Sequence, residues 1–477
     1  MSLGETIMRP TTMLFRNLAS MDVEETIRAN PLDGVVLLTG CDKTTPSLVM
    51  GAASCDVPAI VVSGGPMLSG RHRGTKIGSG TSVWTFCDDV KRGRITMQEF
   101  CDAEAGMSRS AGHCMTMGTA STMTAIAEVM GFTVPGASSV PAMDANHQRL
   151  AAEAGRLAVK NAWEGPKPKE LATRKSFENA IAVDMAIGGS TNAPIHLNAI
   201  ARHLGVPLNN DDWQELGLHI PLLVNMQPAG EYLGEDYFHA GGVPAVVKQL
   251  MDSDLLPHSD AMTVNGCTIG ENCSAAEVLD SEVIWPVDAP LVSNAGFVHL
   301  SGNLFDSAIM KTSVIGEEFR GRYLSNPDDP DAFEGTAVVF EGPEDYHDRI
   351  DDPSLEIDEH SMLIVRGTGP IGYPGGAEVV NMQPPSALLK GSTMSTIKRA
   401  RRPDTTIDIA NLMISDIHPA TVSEALCAIP NRDFSMFILC LKLHRKKQET
   451  ENSRKEKQRR GFTIMSIDPL KNPTTVK

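Results

Sequence analysis

The first half of the chain alternates short apolar runs with longer segments of helical composition. Residues 34–40 and 58–65 are apolar runs bounded by glycine or proline, which predict buried strands. The segment from Pro46 to Ser54 predicts a helix between them, and a strand, helix and strand within about thirty residues predict a parallel sheet. Further helices are predicted over 116–130, over 145–164, over 177–187, and from the GGSTN turn at 188–192 to His203.

The pattern changes after about residue 262, where segments become short, β-branched and separated by turn residues. These segments are MTVNG, VIWPV, FVHLSGNLF, TAVVFEG and MLIVRG, and their spacing predicts an all-β domain, a barrel or a sandwich. We place the boundary in the acidic segment 252–260. The predicted fold is an α/β N-terminal domain with a parallel sheet over 1–255, followed by an all-β, barrel-like domain over 262–392.

A third composition begins near residue 393 and continues to residue 477. Residues 440–460 are dense in Lys, Arg, Glu and Gln. This composition is typical of a solvated or poorly ordered tail, an interpretation that we favour over a nucleic-acid or targeting patch.

Composition and charge narrow the class of protein. The chain has 477 residues, which is too long for one compact core and predicts two domains. Its formal net charge of −17 argues against a nucleic-acid partner, because phosphate would be repelled. An anionic substrate would therefore need local positive charge, such as a metal ion.

Cysteine usage and apolar run lengths bear on the compartment. The nine cysteines are scattered and contain no CxxC pair, which is unlike a secreted disulfide framework and fits a reducing compartment. No run approaches the roughly 20 apolar residues that span a bilayer. We expect an intracellular protein without a membrane partner, in the cytoplasm, with a mitochondrial location as the alternative.

Two cysteine-containing segments are candidates for chemistry. The first, GCDKTTP at 40–46, follows the predicted strand 34–40, where open α/β sheets gather their ligands. It offers a thiol, a carboxylate and an amine, although an ordinary turn explains it equally well. The second, SAGHCMTMGTAST at 110–122, places Cys114 before a helix, where a thiol can act as a ligand or nucleophile. Taken alone, a buried structural Cys114 is the better interpretation, and a packing role fits His113.

Two glycine-rich segments complete the set. AIGGSTNAPIH at 186–196 joins two glycines to Ser190, Thr191 and Asn192, a pattern suited to an anion at a helix N-terminus or to an ordinary cap. GTGPIGYPGGAEVVNMQPP at 367–385 surrounds Glu378 with glycine and proline. This pattern fits a rigid loop that presents a carboxylate, or the corner of a β-barrel.

In this order, the segments resemble the dihydroxy-acid dehydratase and sugar-acid dehydratase family. The resemblance runs from about Glu5 to about residue 390, and it rests on GCDKTTP, PAIVVSGGPML, SAGHCMTMGTAST, SFENAIAVDMAIGGSTNA, VNMQPAG, GNLFDSAIMKTSVIGEEF and GYPGGAEVVNMQPP. The forms GHCMTMGTAST and DYHDRIDDP are more similar to the aldonic-acid branch, the xylonate and arabinonate dehydratases.

The resemblance implies an active site that contains an iron–sulfur cluster, [2Fe–2S] or [4Fe–4S], and a nearby Mg²⁺. Cys41 and Cys114 match two of the three cysteines that hold the cluster in the family. The positions that match Mg²⁺ ligands are Glu5, Asp42, Glu378 and Lys43, the last being a lysine that the family can carbamylate.

The resemblance also implies a hydro-lyase that dehydrates a 2,3-dihydroxy carboxylic acid to a 2-keto acid. The substrate would be a small anionic hydroxy acid, either an aldonic acid or a 2,3-dihydroxy-3-methyl acid. Ser190 and Thr191 match the segment near the substrate and, with Lys43, are the candidate catalytic residues. The resemblance further implies a homo-oligomer, a dimer or a tetramer.

Two departures from the family define the alternative interpretations. The family's first cluster cysteine precedes the position of Glu5 and has no match here, and the region after Glu378 lacks the family's Gly-Arg-x-Ser-Gly turn with its catalytic serine. One alternative is therefore a catalytically impaired relative that binds metal or sugar acid without turnover. Another is a thiol enzyme using Cys114 and His113, which leaves GCDK and Glu378 unexplained.

Overall fold

The computed structural model describes residues 12–300 except 80, then 307–316, 334–358, 361–366 and 460–463, together with positions 319, 321 and 385. The described chain divides into two compact units. Unit 1 contains residues 12–299 and 311–314, and unit 2 contains the other described residues.

Unit 1 begins with a helix, a strand, a second helix and a second strand. These are α1 (Thr12–Ala29), β1 (Val35–Thr39), α2 (Thr44–Cys55) and β2 (Ala59–Ser63). The strands pair in parallel with Leu38 opposite Val62, as the βαβ pattern predicts. Helices α1 and α2 approach closely at Gly51, which has no side chain. A side-chain carbon there would lie 2.6 Å from the Ser20 carbonyl oxygen.

The rest of unit 1 is mainly helical, and its core lies around two helices whose side chains are nearly all buried, α5 and α8. A small antiparallel hairpin precedes the first of these helices. The elements in order are β3 (Gly70–His72), β4 (Thr75–Ile77), α3 (Ser82–Lys91), α4 (Met97–Met107), α5 (Thr119–Val129), α6 (Ala145–Glu164), α7 (Pro168–Leu171), α8 (Arg174–Ala186), α9 (Asn192–Leu204), α10 (Asn210–Gly217), α11 (Gly234–His239), α12 (Gly242–Asp252) and α13 (Ile269–Cys273).

The later strands form two small sheets. The strands β5 (Phe297–Leu300) and β6 (Ala308–Lys311) pair with each other. In unit 2, the strand β7 lies between a parallel and an antiparallel neighbour, and Phe340 packs with Tyr346 and Val365 in a local core. The elements of this sheet and its helices are β7 (Glu334–Phe340), α14 (Pro343–Arg349), a 3₁₀ turn (Pro353–Leu355), β8 (Ser361–Val365) and β9 (Arg460–Thr463).

The elements predicted before residue 204 agree with the structure to within a few residues, but two of the later segments do not. MTVNG and VIWPV form only single bridges, Met262 with Thr268 and Ile284 with Val224. The Val264 amide donates to the carbonyl of Gly131, which lies just after the end of α5. This amide is therefore not available to pair with a neighbouring strand. These two expected strands were wrong.

The barrel remains a prediction, because the described ranges hold only small sheets and no closed barrel. The domain limits at 255 and 262 likewise stay predictions. The proposed tail from 393 lies outside the described residues except for 460–463. Among the described helices, none combines the length and the apolar character needed to cross a bilayer.

Candidate active site

The site begins where the parallel strands β1 and β2 end side by side. The Gly64 amide donates to the Thr39 carbonyl at 2.7 Å, so the segments that follow the two strands stay together. Directly after β1, the Cys41 amide donates to the Thr44 hydroxyl at 2.8 Å, which fixes the turn into α2. The segment 40–43 therefore lies at the carboxyl edge of the sheet, as its position after a strand predicts.

A third segment joins this edge beside β2. The His113 amide donates to the Gly65 carbonyl at 2.9 Å, and the Met67 amide donates to the His113 carbonyl at the same distance. Gly112 permits the approach, because it has a φ of 131° and a side-chain carbon there would lie 2.5 Å from the Met67 nitrogen. These bonds bring Cys114 to the edge that carries Cys41.

The two thiols lie close enough to interact electrostatically. Burial raises the pKa of the Cys41 thiol, and the charge of Asp42 and, to a smaller extent, the Cys114 thiol raise it further. Cys41 is half-buried and Cys114 is exposed, and neither forms a disulfide. A buried thiol beside a carboxylate is a poor free nucleophile and becomes a thiolate when a metal cation replaces its proton.

Asp42 links the thiol to a buried amine. Its carboxylate accepts from the Cys41 Sγ at 3.1 Å and from the Lys43 Nζ at 3.2 Å. The Lys43 side chain is only 3% exposed, whereas that of Asp42 is 17% exposed. A sulfur donor, an oxygen donor and a shielded amine therefore meet at one point of the sheet edge.

A histidine on α9 faces this cluster from another direction. His196 is fully buried, and its Nδ1 lies 3.1 Å from an Arg16 guanidinium nitrogen. Because guanidinium can only donate, Nδ1 accepts and the ring proton belongs on Nε2. Burial lowers the pKa of His196 well below 6.5, and the nearby charges of Arg16 and Lys43 lower it further. The ring is therefore neutral and held in one tautomer.

The predicted Gly-Gly-Ser-Thr-Asn turn lies between α8 and α9 and is bonded to α5. The Ser190 hydroxyl lies 2.8 Å from that of Thr119, and the Ser190 amide donates to the Thr122 hydroxyl at 3.0 Å. The Asn192 side chain donates to the Thr119 hydroxyl at 2.7 Å. Thr191 is buried and its hydroxyl does not cap α9. The turn is thus more than an ordinary cap, because its side chains tie it to α5.

The structure places six of the predicted residues around α2, α5 and α9, and two others lie outside its described ranges. Glu5 and Glu378 fall on residues that the structure does not describe. The sequence analysis missed Arg16 and His196 as members of the cluster. Arg16 could have been noticed as the one charge in the apolar run MLFRNL. The predicted residues that the structure places around α2, α5 and α9 are Cys41, Asp42, Lys43, Cys114, Ser190 and Thr191.

The donors in the described part agree in type with the implied cofactors. Thiolates suit iron and a carboxylate suits Mg²⁺. No group of three or more His, Cys, Asp or Glu ligands converges within the described residues, so Cys41, Cys114 and Asp42 form only part of a ligand set. The His113 ring Nδ1 lies 2.9 Å from the Cys114 carbonyl oxygen, a side-chain hydrogen bond that fits a packing role for this histidine beside the thiol.

Two family models together match nearly the whole chain. The dihydroxy-acid/6-phosphogluconate dehydratase N-terminal model matches residues 1–272, and the corresponding C-terminal model matches residues 282–458. The chain therefore belongs to the dihydroxy-acid and 6-phosphogluconate dehydratase family.

Curated relatives carry names of the same class. The chain is 52% identical over 391 residues to the D-xylonate dehydratase of Caulobacter vibrioides, covering 82% of this chain and 65% of the relative. It is 47% identical over 434 residues to the L-arabonate dehydratase of Azospirillum brasilense, covering 90% and 72%. It is 36% identical over 374 residues to the dihydroxy-acid dehydratase of Halothermothrix orenii, covering 78% and 65%. The chain thus spans about two thirds of the length of these relatives.

Proposed function

We propose that this protein is a hydro-lyase that dehydrates a 2,3-dihydroxy carboxylic acid to a 2-keto acid. The position of Cys41, Asp42 and Cys114 along the carboxyl edge of one parallel sheet carries the proposal. Sulfur and oxygen donors in one place fit a pocket that binds two kinds of metal centre. The names of the relatives, which are sugar-acid and dihydroxy-acid dehydratases, support the reaction class.

An aldonic acid such as xylonate or arabinonate is the proposed substrate. The aldonate dehydratases are 52% and 47% identical to the chain, compared with 36% for the dihydroxy-acid dehydratase. Both substrate classes share the reacting carbons and differ only in the tail. A 2,3-dihydroxy-3-methyl acid is therefore the second substrate to test.

The proposed cofactors are an iron–sulfur cluster and Mg²⁺. Cys41 and Cys114 would hold the cluster, and Asp42 would hold Mg²⁺, together with Glu5, Glu378 and a carbamylated Lys43. When bound, these centres supply the positive charge that stabilises a developing enolate and a departing hydroxide. Such charge also answers how a chain of net charge −17 attracts an anionic substrate.

In this proposal, residues of the chain bind and orient the substrate and shield the site from water. In the balanced reaction a base removes the C2 proton, the C3 hydroxyl leaves as water, and the resulting enol tautomerises to the 2-keto acid. Ser190 and Thr191 present hydroxyls to the substrate, held by the bond to Thr119. Lys43 and the neutral His196 line the same region in a shielded environment, where electrostatic interactions are stronger.

Turnover after reconstitution tests the function. The protein is reconstituted without oxygen with iron, sulfide and Mg²⁺, and then given D-xylonate, L-arabinonate or a 2,3-dihydroxy-3-methyl acid. We expect a 2-keto acid product, trapped as its semicarbazone, from at least one aldonic acid. A charge-transfer absorption band without product would favour the impaired relative that the missing Gly-Arg-x-Ser-Gly turn suggests. If both the absorption band and the product are absent, the proposal is contradicted.

We propose an intracellular, cytoplasmic homo-oligomer, a dimer or a tetramer, with no nucleic-acid or membrane partner. Large apolar side chains on unit 1 remain exposed, among them Trp163 at 86% and Leu38 at 74%. A second copy of the chain would remove such surface from water. Light scattering on the full chain tests this, and a monomer at every concentration would contradict it.

A further inference from the structure

A buried lysine donates a hydrogen bond to the backbone of the Gly188–Asn192 turn. Lys311, at the end of β6, is 4% exposed, and its Nζ donates to the Gly188 carbonyl at 2.6 Å. Gly188 has a φ of 64°, so its carbonyl leaves the direction of α8 and points away from the helix. The lysine therefore holds the first residue of the turn.

A buried carboxylate lies beneath the same turn. Asp184, in the last turn of α8, is fully buried, and neither of its carboxylate oxygens has a hydrogen-bond partner in the described part of the chain. A side-chain carbon at Gly189 would lie 1.8 Å from the Asp184 Oδ1, so the carboxylate is pressed against the turn. An isolated charge in this position would be costly, since burial removes its hydration.

The lysine and the carboxylate act on each other. Burial raises the pKa of Asp184, and the Coulomb attraction of Lys311 opposes that rise. Lys311 and Lys43 are the buried lysines of the described residues, and each interacts electrostatically with an aspartate.

We propose that Asp184 and Lys311 are positioning residues that hold Ser190 and Thr191 in the geometry for substrate binding. The proposal rests on the proposed function, because it takes Ser190 and Thr191 to face the substrate. Lys311 fixes the Gly188 carbonyl, and the Thr119 and Thr122 hydroxyls hold Ser190 two residues later. The Asp184 carboxylate packs against Gly189, the next residue of the turn.

A purely structural charge pair is the competing explanation, and a double variant separates the two. Removing one partner of a buried pair leaves an uncompensated charge, whereas replacing both partners can be nearly neutral for stability. We therefore expect Lys311→Met and Asp184→Asn each to lower the Tm, and the double variant to recover most of the loss. If the pair positions the turn, the double variant recovers its Tm but keeps a low kcat, because the Gly188 carbonyl still lacks its donor.

The kinetic readout is kcat, measured separately from KM. A misplacement of about 1 Å can cost on the order of 100-fold in rate, so we expect kcat on the aldonic acid to fall about that much in Lys311→Met and in the double variant. The matched control is Lys175→Met, which removes an exposed pair with Asp260 and should keep kcat within about twofold. Wild-type kcat in the double variant would overturn the proposal.

Hydrogen exchange in the metal-free full chain gives a readout that needs no turnover. The Ser190 and Asn192 amides donate to the Thr122 and Ser190 hydroxyls, and we expect their exchange to accelerate at least about tenfold in the double variant. Unchanged exchange there would also overturn the proposal. If the wild type turns nothing over, the proposed function fails while exchange still decides whether the pair holds the turn.

Discussion

The hydroxyl oxygens of Ser190 and Thr119 lie 2.8 Å apart, although 71 residues separate them in the chain. Thr119 stands in the first turn of α5, five residues after Cys114, so this bond connects the turn before α9 to the segment that carries a thiol. The same Thr119 hydroxyl accepts from Asn192. A single threonine thus couples two of the segments that the proposed reaction needs.

Removing this hydroxyl should disturb the turn. We expect Thr119→Val to lower kcat on an aldonic acid by about 10- to 100-fold, because Ser190 and Asn192 lose a shared partner. It should cost about 1 kcal/mol of unfolding free energy. Steady-state kinetics and urea unfolding measure the two effects.

The matched control for that variant is Thr124→Val on the same helix. Thr124 is buried, and its hydroxyl donates to the Ser121 carbonyl without touching the turn. It should cost a similar free energy and keep kcat near the wild-type value. An equal loss of kcat in both variants would mean that α5 stability, rather than the Ser190 contact, sets the rate.

Iron binding should depend on Cys41. After reconstitution, we expect Cys41→Ser to hold about one tenth of the iron of the wild type, or less. An alcohol is a poor ligand for iron compared with a thiolate. Iron is measured by colorimetric assay of the desalted protein. Cys101→Ser provides the control, since Cys101 is exposed on α4 away from the site. Unchanged iron in Cys41→Ser would remove Cys41 from the ligand set.

Asp42→Asn should abolish the response to Mg²⁺. The carboxylate accepts from both Cys41 and Lys43, and its loss removes the charge that would face the cation. We expect turnover to fall at least about 100-fold. Asp236→Asn, which removes the carboxylate of a half-exposed pair with Lys76, should leave turnover unchanged. A Mg²⁺ titration of both variants distinguishes a lost ligand from a general loss of folded protein.

The close contact between Gly189 and Asp184 predicts that a methyl group added at Gly189 lowers the stability of the protein. We expect Gly189→Ala to cost about 1 to 3 kcal/mol of unfolding free energy, because the added carbon would fall 1.8 Å from the Asp184 Oδ1. Gly155→Ala on α6 meets nothing within 4 Å and should raise the free energy of unfolding by up to about 1 kcal/mol. Urea titrations measure both, and a tolerated Gly189→Ala would contradict the packing.

Glu128 should make part of the stability depend on pH. It is fully buried, and burial raises its pKa above 4.5 although the Gly136 and Ser138 amides donate to it. A raised folded-state pKa gives stability that is present below pH 4.5 and is lost as pH rises through the raised value. The stability of Glu128→Gln relative to the wild type should therefore increase with pH above 4.5. Urea unfolding at pH 5, 7 and 8 checks the sign, and a relative stability that stays constant or falls would contradict it.

The sequence predicted the local backbone elements that surround the candidate site. Glycine-bounded apolar runs predicted β1 and β2, and the helix between them followed from Pro46 and the small residues of α2. Cysteine, aspartate and lysine directly after a parallel strand predicted a site at that edge. These signals are readable because strand and helix periods and turn residues act over only a few positions.

The tertiary structure alone decided which distant groups share the site. Arg16 reaches His196 across 180 positions, and Lys311 reaches Gly188 across 123. No local pattern marks such pairs, because burial and packing of separate helices create them. The MTVNG and VIWPV segments show the same limit. Their β-branched residues suit strands, but their backbone groups bond to Gly131 in the first case and to Leu223 and Asn225 in the second. The chain by itself thus determines its local elements and its reactive segments, whereas the desolvated surroundings that set charge, tautomer and orientation exist only once it has folded.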